Sequence, residues 1–77
     1  MSLILHAIVF HKPSYKSKAE CLKKARSMFP HEIIKGFVRI TNESFRVRVV
    51  PKTQFDKTSY ISKKLTPDIT IVLGKRK

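Results

Sequence analysis

Hydrophobic and polar positions alternate most regularly between Lys35 and Val50, and the alternation predicts a β-hairpin turning at Asn42-Glu43. With a two-residue loop, Ile40 stands opposite Phe45, Val38 opposite Val47 and Gly36 opposite Val49. One face of the hairpin then carries only apolar groups or glycine. Side chains alternate across a strand, so the other face presents Arg39 opposite Arg46 and Phe37 opposite Arg48, with Lys35 beside them.

The pattern upstream is of two kinds. Leu3 to His11 is almost continuously apolar, as expected of a central strand covered on one face and at least partly screened on the other. Pro13 ends it, since proline has no N–H to give to a central ladder. Ser17 followed by Glu20 has the capping-box spacing, and Cys21, Leu22, Ala25, Met28 and Phe29 then recur on one helical face, with Lys23, Lys24 and Ser27 turned away. Pro30 stops this helix.

Downstream of Pro51 the periodicity weakens. Thr53 to Lys57 can form one helical turn, with Asp56 at the capping position, and Tyr60 to Leu65 reads equally as a short helix or an extended arm. Pro67 then introduces Asp68 to Leu73, where Ile69, Ile71 and Leu73 alternate as in a strand. Gly74 precedes a basic end, Lys75-Arg76-Lys77, expected to be mobile. These elements predict a single α+β domain over residues 1–77. Its form is a small two-layer sandwich of four antiparallel or mixed strands in the order β-α-β-β-(α or extended)-β, with one or two helices on one face. A helical 53–66 segment makes the topology ferredoxin-like. In either case Val38, Ile40, Phe45, Val47 and Val49 are expected beneath Leu22, Ala25 and Phe29, with Phe37, Arg39, Arg46 and Arg48 on the open side.

Charge changes what that open side means. Seventeen Lys and Arg against five Asp and Glu give a net charge of +12 on 77 residues. The basic residues are spread along the chain: six fall between Lys12 and Arg26, five between Lys35 and Lys52, and six between Lys57 and Lys77. Self-repulsion of this size opposes compaction, and like charges directly opposed across a sheet destabilise it. Solubility alone accounts for many charged sheet faces, and basic residues also guard strand edges. A polyanion accounts in addition for Arg39 facing Arg46 and for an aromatic set among cations, because phosphates relieve the repulsion and a base stacks on the ring. The expected ligand is DNA or RNA, bound through Lys35, Phe37, Arg39, Arg46, Arg48, Lys52, Lys75, Arg76 and Lys77.

Other chemistry finds little purchase. A single cysteine, Cys21, excludes an intrachain disulfide and fits a reducing compartment. No apolar run approaches the length of a membrane span, and Leu3 to Phe10 lacks the flanks of a signal peptide, so an intracellular or virion-packaged protein with no membrane partner is expected. His6, His11, His31 and Cys21 lack Cys-x-x-Cys or His-x-x-x-His spacing, and no metal or other cofactor is expected. The five carboxylates stand singly. His6 and His11 fall on opposite faces of a regular strand because their separation is odd, so no acid-base pair forms without a bulge, and no enzyme activity is expected. The alternative function is a structural or assembly component of a virion or ribonucleoprotein particle that contacts nucleic acid or acidic protein, with strand edges offering a route to homo-oligomers.

Overall fold

A computed structural model describes residues 3–12, 14–51 and 54–76, giving the backbone alone at 37–39 and 55–58. The elements are β1 (Leu3–His11), α1 (Lys18–Met28), β2 (Ile33–Ile40), β3 (Ser44–Val50), β4 (Phe55–Thr66) and β5 (Ile69–Arg76). The strands form one sheet in the order β2-β3-β1-β5-β4, with every neighbouring pair antiparallel. The most apolar strand, β1, is therefore the central one. The helix lies against β2 and β3.

Local chemistry sets the ends of these elements. Ser17 caps α1 from an extended conformation, its hydroxyl accepting from the Glu20 N–H at 3.3 Å. At the other end Phe29 donates to the Ala25 carbonyl at 3.0 Å, and Pro30 follows. The β2–β3 turn is organised by Thr41, whose hydroxyl oxygen accepts from the N–H groups of Glu43 (3.2 Å) and Ser44 (3.0 Å). No described non-glycine residue has positive φ, so this two-residue loop is held by a side chain and not by the left-handed pair usual in tight hairpins. The β4–β5 turn repeats the device, with the Thr66 hydroxyl accepting from Asp68 N–H at 3.2 Å. Where β1 ends, His11 N–H donates to the Asp68 carbonyl (2.8 Å) and Lys12 N–H to the Glu43 carbonyl (2.7 Å). Both turns are thus tied to the central strand. The Lys12 ammonium adds a 2.8 Å bond to the Thr41 carbonyl and sits 4.5 Å above the Phe45 ring.

Burial separates the two sides of the sheet. Leu5, Ile8, Phe10, Phe45, Val47, Val49, Ile69 and Ile71 form one buried cluster with Cys21 and Ala25 of the helix, and Tyr15, Leu22, Met28, Phe29, Ile34 and Leu73 pack around it. Phe10 is fully buried, and Tyr15 meets its ring edge-on at 4.9 Å between centroids. Burial pushes the Cys21 thiol up to about 11, with Glu20 adding to the shift. The expected helix face, from Cys21 to Phe29, is the face that packs.

Four expectations are corrected. The sheet has five strands, not four, because the ambiguous segment is extended and pairs with β5 from Phe55 to Thr66; α1 is the one helix among the described residues. The hairpin register holds at Ile40↔Phe45 and Arg39↔Arg46 but shifts on both sides of Gly36-Phe37, so that Phe37 pairs with Val47, Gly36 with Arg48 and Ile34 with Val49. Each shift is a β-bulge that absorbs one residue, first Val38 and then Lys35, and so undoes the strict alternation. Gly36 lies between them with φ +139°, a conformation that a side chain disfavours. Lastly, Ile40 keeps its register but is 42% exposed at the strand's end, and Ile34 packs against the core in its place; the Val38 side chain lies outside the described residues. Strand β5 also runs on past Leu73 through Lys75 and Arg76.

Candidate nucleic-acid interface

The side of the sheet away from α1 follows from alternation around the core positions. Val47 and Val49 point toward the helix, so Arg46 and Arg48 of β3 point away from it. Register places Arg46 beside Val9 and Thr70, and Arg48 beside Ala7 and Val72. Lys64 extends the first row on β4, and Ser62 the second. Ala7 and Val72 are almost wholly buried although no described helix covers this side, as expected where long neighbouring side chains lay their stems over small residues. The face is thus a small apolar floor rimmed by guanidinium and ammonium groups.

A bulge in β1 adds an aromatic element. The pairing of β1 with β5 shifts between Leu5 and Ala7, which brings His6 onto the open side along with Ala7. There the His6 ring lies against Tyr60 of β4, with centroids 4.9 Å apart and planes tilted by 34°. Burial lowers the His6 pKa, and the charges of Arg46 and Arg48 lower it further, so the ring is held neutral in an already cationic setting. Tyr60 stands opposite Gly74, where the absence of a side chain on β5 leaves room for an aromatic ring across the strands. It remains 45% exposed.

The same bulge corrects the expected parity of the histidines. His6 and His11 share the open side, and the His11 Nε2 lies 2.9 Å from the Thr70 hydroxyl. Along one strand they are about 15 Å apart, too far for both to serve one reacting phosphate. Among the described residues, no three His, Cys, Asp or Glu side chains gather as a metal site.

The structure brings some of the sequence-derived candidates together and separates others. Arg46 and Arg48 are adjacent on the open side, and Arg76 reaches it at the far end of β5. Lys75, one position earlier, alternates to the helix side in the row of Leu3. Lys35 is exposed at a bulge of the β2 edge. The backbone of Arg39 lies in register with Arg46, and that of Phe37 with Val47 instead of Arg48; their side chains, like Lys52 and Lys77, lie outside the described residues. Sequence reasoning missed His6, Tyr60 and Lys64. A bulge hid the first, and the unassigned segment hid the other two, although Tyr60-Ile61 beside Gly74 is a β-compatible signal.

No family model matches this chain, and comparison with curated proteins and with solved structures found no match.

Proposed function

We propose that this chain is a small basic nucleic-acid-binding domain, working without catalysis through phosphate contacts and limited aromatic stacking on the open side of its sheet. The observation that carries the reading is the charge of that side. Arg46, Arg48, Lys64 and Arg76 stand on it, and no carboxylate belongs to the described strand residues there. A solvated face kept for solubility alone mixes both signs; one sign around an apolar floor suits a ligand that brings its own negative charge. Phosphate contacts of this kind release counterions and make affinity steeply dependent on salt.

The test is a salt titration of nucleic-acid affinity for the wild type and for Arg46→Ala and Arg48→Ala. Each replacement is expected to weaken binding and to flatten the slope of log affinity against log salt by about 0.7 to 0.9, one phosphate's share. Arg46→Ala is expected to leave the melting temperature unchanged or slightly higher, because it removes one member of the opposed Arg39–Arg46 pair. Variants that melt earlier yet bind as well as the wild type sink the proposal.

A further inference from the structure

The open side has a second property, independent of its charge: an exposed aromatic ring on its edge strand, β4. Tyr60 is 45% exposed, backed on one side by the His6 ring and set opposite Gly74. An aromatic side chain held against a neighbouring ring in this way presents a flat surface at little further entropic cost. Arg48 lies on the far side of β1 and β5 from it, about 14 Å away at the usual spacing of neighbouring strands. Lys64 and Arg76 lie on the same two strands as Tyr60 and Gly74, to either end of them. Cations thus lie to the inner side of the ring across the sheet and toward both of its ends along the strands.

From this arrangement we infer that the ligand is single-stranded nucleic acid, with one base stacked on Tyr60 and the flanking phosphates held by Arg48, Arg46, Lys64 and Arg76. The inference rests on the binding reading above and makes it narrower. Two physical arguments favour a single strand. In a duplex every base face is already stacked on its neighbours, so the ring has nothing to stack on. Five strands also span about 19 Å, whereas a major groove about 12 Å wide admits a helix or a two-stranded ribbon. A duplex can therefore touch this face only with its phosphates. A single strand laid across the sheet offers both phosphates and unstacked bases, and stacking of this type tolerates any sequence because every base has a π-face.

The experiment compares oligothymidine, oligouridine and an oligothymidine–oligoadenosine duplex, using the intact chain. Tyr60→Ala is expected to weaken binding of both single strands about 5- to 150-fold with an unchanged salt slope, while duplex affinity stays where it was. Tyr60→Phe keeps the ring and is expected to bind single strands as the wild type does. A second readout needs no change at Tyr60. The chain has no tryptophan and two tyrosines, so in Tyr15→Phe all the tyrosine emission comes from Tyr60, and stacking is expected to quench it with either single strand and not with the duplex. Single-strand binding that survives Tyr60→Ala, or that leaves the Tyr60 emission unquenched, overturns the stacking inference while leaving phosphate recognition standing. Affinity unmoved by Arg46→Ala and Arg48→Ala overturns the broader reading instead, and the two failures are read from different variants. Equal or tighter binding of the duplex also overturns the single-strand assignment.

Discussion

The β2–β3 and β4–β5 hairpins turn at the same end of the sheet, each with a threonine hydroxyl in the turn and each tied by a backbone bond to the end of β1. They differ in what covers them. The helix lies on the first hairpin, and Phe45, Val47 and Val49 are buried beneath it. The second buries Ile69 and Ile71 of its inner strand in the same cluster, and both outer strands expose apolar residues, Ile33 and Ile40 on β2 as well as Ile61 and Leu65 on β4. The difference lies in the helix, which packs on β2 and β3, while β4 is held by a long ladder to its inner neighbour. The one helix among the described residues roofs only part of the five-stranded sheet, and it lies on the hairpin bearing Arg46 and Arg48.

The comparison can be broken most directly by truncating one residue on each side. Phe45→Ala is expected to lower the unfolding free energy by about 3 to 5 kcal/mol, and Leu65→Ala by no more than about 0.5 kcal/mol. Urea denaturation measures both, and similar losses would mean that β4 is covered as well as β3 is.

Backbone geometry comes next in size. The position of Gly36 has open space around it, with nothing within 4 Å of where a Cβ would stand, yet its φ is +139°. Gly36→Ala is therefore expected to destabilise by about 1 to 3 kcal/mol through conformation alone. An unchanged midpoint in the same denaturation series shows that the bulge relaxes freely.

The turns give the smallest effect. Thr41 accepts two backbone N–H bonds where Thr66 accepts one among the described contacts. Thr41→Val is expected to cost about 1 to 2 kcal/mol and Thr66→Val about 0.5 to 1.5 kcal/mol. Amide hydrogen exchange at Ser44 and Asp68 reports each turn separately, and a larger change at Asp68 reverses the ranking.

What could be read from the sequence follows the same division. Strand β3 has no bulge, so its alternation from Ser44 to Val50 predicted which of its residues would be buried, and the Ser17 cap with its apolar stripe predicted the helix. A constant period of two does not fit strand β2, whose two bulges give Phe37 and Gly36 other partners. Strand β4 is hard to read from the sequence because register shifts after Asp56 and after Lys64 break its period. As an edge strand without a roof it also needs little apolar content, so it lacks the usual hydrophobic signal. Of the site, the paired arginines of β3 were legible. The His6–Tyr60 contact was not, since it joins residues from a bulge and from the unassigned strand.

The bulges of β2 have a consequence for the molecule's behaviour toward its own copies. Its ladder advances two residues at a time, 33–34, 36–37 and 39–40, before the frame slips. An incoming chain seeking to extend the sheet there meets no straight run of backbone donors and acceptors to copy. The opposite margin is more regular between Tyr60 and Lys64, but consecutive lysines at 63 and 64 place charge on both of its sides. Fibre-like growth is discouraged at both margins by different means, one geometric and one electrostatic, so the broad surface between them can stay uncovered in a concentrated solution of identical, highly charged molecules.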